Sequence, residues 1–146
     1  MIALLQRVSR ASVSVEGDVI GEIGHGILAF IGAEKHDHWQ QAEKLAEKIL
    51  NYRIFPDGEG RMNLSLRDTQ GGLLLVSQFT LAANTQKGNR PGFDPAMPPA
   101  LAEPFFARFC EHLRQLHAGK VQTGRFAADM QVALVNDGPV TFWLQV

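Results

Sequence analysis

The stretch LLLVSQFTL, residues 73–81, is the strongest strand signal in the chain. A short apolar run that follows a Gly-rich turn is typical of a β-strand, so the pattern predicts a strand over residues 73–81. The next segment, AANTQKGNRPGFDPAMPP at residues 82–99, holds four prolines and two glycines, which exclude a regular element. An ordered loop of this length in a compact domain is usually functional.

The residues before this stretch predict three strands and a helix. Residues 2–15 alternate as a half-buried strand does, Val19–Ile23 returns after a tight turn, and Ile27–Ile31 is an apolar run typical of a strand buried on both faces. The short turns between them favour an antiparallel meander. Asp37 is expected to cap the following helix, whose apolar stripe is Trp39, Ala42, Leu45, Ala46 and Ile49.

The rest of the chain predicts a second helix and more strands. The helix is expected from about Glu103 to His117, and Asp137-Gly138-Pro139 is expected to break the last strands. The further strands are expected at Met62–Leu66, Val121–Phe126, Met130–Val135 and Val140–Val146. Because the order has no clear βαβ alternation, it predicts one α+β domain over residues 1–146. We expect a mostly antiparallel sheet or small barrel covered by two α-helices.

Composition narrows the class of protein. The chain has 146 residues, 45% of them hydrophobic, and a net charge of −1, which together exclude disorder and a generally basic nucleic-acid binder. A single cysteine favours a reducing compartment, and no apolar run approaches the ~20 residues of a membrane span. A cytoplasmic protein without a membrane association is expected. The sequence contains no cofactor or metal-binding motif, and its five histidines are not spaced to lie on one face of an element. No cofactor or metal is therefore predicted.

Two segments have the residue types for chemistry. Ser77 and Thr80 are candidate hydroxyl nucleophiles, but no histidine partner lies nearby in sequence, and ordinary strand residues are the alternative. Between two strands, Asn136–Thr141 contains Gly138-Pro139, which is either a hairpin turn or a cis peptide that aims two carbonyls in one direction.

These two segments resemble the signature motifs of the bacterial and eukaryotic D-aminoacyl-tRNA deacylases: SQFTL at residues 77–81 and NDGPVT at residues 136–141. Three further matches lie in the same order along the whole chain: Arg7-Val8 with Ala11-Ser12-Val13, Lys87–Pro91, and Thr123-Gly124 leading to Met130.

The resemblance implies a homodimer that hydrolyses the ester between a D-amino acid and the 3′-terminal adenosine of tRNA, and that also removes glycine from tRNA for alanine. It implies that a cis Gly138-Pro139 bond reaches into the partner's pocket. The carbonyls there would exclude an L side chain but admit glycine.

The resemblance also implies roles for individual residues. Ser77, Gln78, Phe79 and Thr80 form the catalytic stretch, in which backbone N–H groups stabilise the oxyanion and Phe79 stacks on the terminal adenine. Thr80 as a covalent nucleophile ranks second, because no base is visible to activate it.

Four other residues complete the predicted site. Arg7 is expected to donate to carbonyls of the Gly-Pro loop, and Met130 to line the pocket. Lys87 and Arg90 are expected to meet tRNA phosphates. Surface charges and a core methionine are the alternatives. Two other functions stay open: a small oligomeric hydrolase of a free metabolite, and a non-catalytic RNA-binding module.

Overall fold

Strand β1 (Ile2–Val15) is the centre of the fold in the computed structural model, which describes residues 1–146. Along one edge it pairs antiparallel with β8 (Gln131–Gln145). Along its other edge it pairs antiparallel with two strands laid end to end, β2 (Asp18–Ile23) and β3 (Gly26–Gly32). The three predicted strands are present, but the predicted meander is wrong: β2 and β3 do not pair with each other, because both run antiparallel to β1 along the same edge.

Two parallel strands extend the sheet beyond β3. They are β6 (Gly72–Ser77), which pairs with β3, and β7 (Val121–Thr123), which pairs with β6. Parallel neighbours need long crossovers, and these contain the helices α1 (Trp39–Asn51) and α3 (Pro99–Leu116). The sequence shows no clear βαβ alternation, yet the fold contains these two parallel crossovers, because loops and a small hairpin separate their helices from the strands.

The sheet curls into a nearly closed barrel, which confirms the predicted α+β class. β2 approaches β7 so closely that a Cβ on Gly21 would lie 2.9 Å from the Thr123 carbonyl oxygen. One sheet face packs against α1 and α3 through residues such as Leu5, Ala29 and Leu75. A smaller apolar cluster, including Leu28 and Leu74, lies on the opposite face. None of the helices is both long and apolar enough to cross a membrane.

The predicted strand over residues 73–81 is wrong beyond Ser77. Its parallel neighbour β3 supplies no further partner, since Ile31 with Ser77 is the last pair of the ladder. The chain turns instead into a 3-10 helix at Phe79–Ala82.

The predicted cap of the first helix is also wrong. His38, not Asp37, precedes α1, and its backbone N–H donates to the side chain of Gln41 at 2.9 Å. The Asp37 carboxylate is engaged elsewhere, because it accepts from the Met1 amine at 2.6 Å and from the Glu34 N–H at 2.7 Å.

Helix α3 begins at Pro99, earlier than the predicted Glu103. Pro98 and Pro99 occupy the cap and the first helical position, where a missing N–H costs no hydrogen bond. The helix thereby brings its apolar N-terminal turns next to the end of β6.

The expected break at Asp137-Gly138-Pro139 is a protrusion within one continuous strand, β8. Thr141 pairs with Gln6 and Asn136 with Val8, so the residues between Asn136 and Thr141 bulge out of the ladder. The Gly138–Pro139 peptide bond is cis.

A small hairpin and a short helix follow α1. The hairpin joins β4 (Phe55–Pro56) to β5 (Met62–Leu64), and α2 (Leu66–Thr69) replaces the predicted end of a strand. Ser65 donates to the Asp68 carboxylate at 2.6 Å through its hydroxyl, which lowers the pKa of Asp68 and fixes the start of α2.

We predict that the thiol of Cys110 is inert in the folded protein. Burial raises its pKa from 9.0 to about 12, so almost no thiolate forms near neutral pH. An aromatic disulfide reagent at about pH 8 should modify Cys110 only after guanidinium is added. Because the folded-state pKa is the higher one, the protein should lose stability as the pH rises from about 9 towards 12. Rapid labelling of the native protein would contradict this.

Candidate functional site

A cavity of about 650 Å³ opens at the carboxyl ends of the parallel strands β3 and β6. Ligand sites commonly lie at this edge of parallel strands, because the loops that follow them converge there. The loop before α3 and the first turns of α3 cover the cavity. Its polar side chains are only Ser77 and Gln78, and the rest of the lining is apolar, including Ile31, Val76, Phe79, Phe93, Phe105, Phe106, Phe126 and Met130.

The 3-10 helix at Phe79–Ala82 forms one rim of the cavity. The Gln78 N–H donates to the Ile31 carbonyl at 2.8 Å, and the Leu81 N–H donates back to the Gln78 carbonyl at 3.2 Å. The first N–H groups of a helix have no acceptor within it. The N–H groups of Phe79 and Thr80 are therefore available as donors beside the cavity.

The structure places no proton acceptor beside the candidate hydroxyls. Thr80 is exposed, does not line the cavity, and its Oγ1 accepts a hydrogen bond of 2.6 Å from the Gln78 Nε2. Ser77 lines the cavity at the end of β6. Because none of the lining side chains is ionisable, these side chains supply no general base.

Phe93 is a site residue that the sequence analysis did not single out. Its ring lies edge-on to that of Phe79, with centroids 5.0 Å apart, at the mouth of the cavity. The Pro-rich loop that contains it is ordered: Met97 N–H donates to the Ala33 carbonyl at 3.0 Å, which ties the loop to the end of β3. An aromatic residue in a loop predicted to be functional was the available signal.

Met130 lines the cavity, on the wall formed by the segment after β7. Gly124 packs against it, because a Cβ on Gly124 would lie 2.7 Å from the Met130 sulfur. Phe126, also on this wall, faces Phe106 of α3 with ring centroids 6.5 Å apart.

Lys87 and Arg90 lie on the exposed tip of the Pro-rich loop, and neither forms an ion pair. Two backbone hydrogen bonds between Asn84 and Gly92, of 2.7 and 3.0 Å, close the base of this tip. Both cations are therefore carried on the same loop as Phe93, beside the cavity.

Arg7 and Gly138-Pro139 do not line this cavity. Arg7 pairs with Ile27 at the beginning of β3, whereas the cavity lies at the other end of that strand. Its Nε donates to the Asp137 carbonyl at 2.9 Å, and its Nη1 donates to the Ile54 carbonyl at 2.7 Å. The two signature motifs of one chain are thus at opposite ends of β3.

The side chain of Asn136 braces the protruding loop from within. Its Oδ1 accepts from the Val140 N–H, and its Nδ2 donates to the Thr141 Oγ1, both at 2.9 Å. With the Arg7 contacts, these bonds fix both ends of the loop, while Gly138 and Pro139 themselves are exposed.

Comparison with known proteins gives a consistent result. The family model described as D-Tyr-tRNA(Tyr) deacylase matches residues 4–145. Proteins named D-aminoacyl-tRNA deacylase from Dichelobacter nodosus and Escherichia coli (strain K12 / DH10B) are 63% and 59% identical, over the full length of both chains.

Two solved structures share the fold. One, named c-Myc DNA Unwinding Element Binding Protein, has a TM-score of 0.96 and 44% identity, and covers 100% of this chain and 99% of its own. A probable eukaryotic D-amino acid tRNA deacylase has a TM-score of 0.86 at 14% identity, covering 99% and 98%, which supports the fold alone.

The chain belongs to the D-Tyr-tRNA(Tyr) deacylase family. The family predicted from the sequence is thereby confirmed, and the protein is a hydrolase of the D-aminoacyl-tRNA deacylase type.

We predict that Gly32→Ala disables the site while Gly58→Ala does not. A Cβ on Gly32 would lie 2.9 Å from the Leu81 Cβ and 3.1 Å from the Gln78 carbonyl oxygen, so the 3-10 helix must shift. Overpacking of this kind costs about 1–3 kcal/mol. Nothing lies within 4 Å of a Cβ on Gly58. Deacylation rates should fall at least about tenfold for Gly32→Ala alone, since small displacements weaken positioning strongly. Equal activity of both variants would contradict this.

Proposed function

We propose that the protein hydrolyses the ester that links a D-amino acid to the 3′-terminal adenosine of tRNA, releasing the free amino acid and tRNA. The observation that carries this proposal is the apolar cavity beside the free N–H groups of Phe79 and Thr80, in a chain of this family. Removal of glycine from tRNA for alanine is part of the same proposal.

The chemistry suits a cavity without an ionisable side chain. An aminoacyl ester is already activated, and its vicinal ribose 2′-hydroxyl helps to position or activate water. The protein then mainly holds the ester and stabilises the oxyanion, and each backbone donor is worth about 3 kcal/mol. In this mechanism Gln78 and Ser77 form polar walls, Phe79 stacks on the adenine, and the Thr80 hydroxyl has no covalent task.

Selection against L substrates is proposed to use a second copy of the chain. The Gly138-Pro139 loop is exposed and lies away from its own chain's cavity, so it is free to enter the cavity of a partner. Its carbonyls would occupy the space of an L side chain, and glycine would be admitted because it has none. This requires a homodimer with sites at the interface.

The tRNA backbone is proposed to meet Lys87 and Arg90. Both are exposed and unpaired beside the cavity, and phosphate contacts position a nucleic acid without reading its sequence. We propose the cytoplasm as the place where it acts on tRNA.

The test of the function is hydrolysis by the purified protein of three substrates: D-Tyr-tRNA, L-Tyr-tRNA, and the alanine tRNA mischarged with glycine. We expect turnover of the first and third and little of the second. Two rival functions make different predictions. A hydrolase of free metabolites would cleave a small ester with kinetics independent of salt, and a nucleic-acid-binding module would bind without turnover.

We predict that Phe79→Ala impairs hydrolysis of D-aminoacyl-tRNA far more than Thr80→Val. Loss of base stacking costs about 1–3 kcal/mol, or roughly five- to hundredfold in kcat/KM. Thr80→Val keeps the side-chain shape, so its rate should stay within about threefold. An acyl-enzyme trapped on Thr80 would refute the water mechanism.

We predict that Arg7→Met lowers the ratio of D- to L-aminoacyl-tRNA hydrolysis, because the loop loses its bond to the Asp137 carbonyl. Charge-assisted hydrogen bonds of this kind are worth about 1.5–3 kcal/mol each. Arg10→Met is the matched control, since Arg10 is exposed on the same strand and forms no ion pair. An unchanged ratio in a dimeric Arg7→Met protein would count against the proposed role of the loop.

A further inference from the structure

The Phe79 and Phe93 rings form an exposed aromatic pair at the mouth of the cavity. Phe79 is 58% and Phe93 41% exposed, and both rings line the opening. Large apolar side chains exposed together at a cavity mouth mark an interaction site. Single exposed residues elsewhere, such as Val19, need no such explanation.

The backbone holds Phe93 in place. The preceding residue, Gly92, exchanges two hydrogen bonds with Asn84. The Ala96 N–H, three residues after Phe93, donates to the Phe93 carbonyl at 3.0 Å. An aromatic ring on a fixed backbone loses little freedom when it binds a partner. The ring is therefore a preformed platform.

The surroundings of Phe93 favour a nucleic acid as the partner. The loop tip closed by Asn84 and Gly92 carries the unpaired cations Lys87 and Arg90, and Asp94 is the one acidic residue of the loop. Aromatic rings beside free cations are the combination that binds single-stranded nucleic acid, through bases and phosphates respectively.

The angle between the two rings indicates that they serve different bases. Their planes are inclined by 61°, so a flat base stacked on Phe79 cannot also stack face-on against Phe93. If Phe79 takes the terminal adenine, Phe93 offers a second platform further along the strand.

We propose that Phe93 is a substrate-binding residue whose ring stacks on the nucleobase that precedes the terminal adenosine of tRNA. This rests on the proposed function and extends it from the aminoacyl-adenosine to the single-stranded end of the tRNA. Phe93 does not contact the reacting ester, so it contributes affinity and not chemistry.

The test uses Phe93→Leu, which keeps an apolar contact with Phe79 but removes the aromatic face. We expect KM for D-Tyr-tRNA to rise about tenfold with kcat unchanged, because stacking lost equally from ground state and transition state affects binding alone. KM for D-tyrosyl-adenosine, which lacks the preceding nucleotide, should not change. Phe93→Trp should restore KM for D-Tyr-tRNA.

A binding experiment separates this proposal from the proposed function. The trinucleotide CCA should bind the wild-type protein about tenfold more tightly than Phe93→Leu, whereas adenosine should bind both equally. If the wild type hydrolyses neither substrate, the proposed function fails, and the trinucleotide affinities still decide the role of Phe93.

Three results would overturn the proposal. The first is an unchanged KM and trinucleotide affinity in Phe93→Leu. The second is an equal loss with D-tyrosyl-adenosine or adenosine, which would place the ring against the terminal nucleoside. The third is weaker self-association of Phe93→Leu in sedimentation, with KM restored at high protein concentration, which would mean that the ring contacts a second copy.

Discussion

The last hydrogen bond between two parallel strands determines where this site lies. Gln78 N–H donates to the Ile31 carbonyl, and beyond this bond β3 and β6 no longer pair with each other. The chain must therefore satisfy its backbone groups in another way, and it does so by a 3-10 helix with donors exposed at its start. The cavity, its aromatic mouth and its covering helix are all arranged around that end of the sheet.

The chemistry of the cavity follows from what lines it. The end of the sheet and the close packing at Gly32 hold the backbone donors and the Phe79 wall in place, and donors held in advance need no rearrangement during a reaction. An activated ester needs this kind of support more than it needs an acid and a base. The protruding loop of β8 is fixed just as firmly, by Arg7 and Asn136, but it faces away from its own chain's cavity.

Local patterns in the sequence predicted the strands around β1, the apolar stripe of α1 and the family. The 3-10 helix was not predictable, because LLLVSQFTL reads as one strand until the length of its neighbour β3 is known. The cap of α1 was not predictable either, since Asp37 binds the Met1 amine, which is far from it in sequence and comes close only in the folded chain. Phe93 was missed for the same reason: only the folded loop brings it beside Phe79.

A cavity lined by no ionisable side chain has a consequence for how the enzyme responds to acidity. A bell-shaped rate profile reports the ionisation of an enzyme's own acid and base, and this lining supplies neither. Under the proposed function, the ionisable group next to the ester is the substrate's own α-ammonium. The proposed mechanism then expects the pH dependence of the rate to change with the substrate's amino group more than with any side chain of the lining.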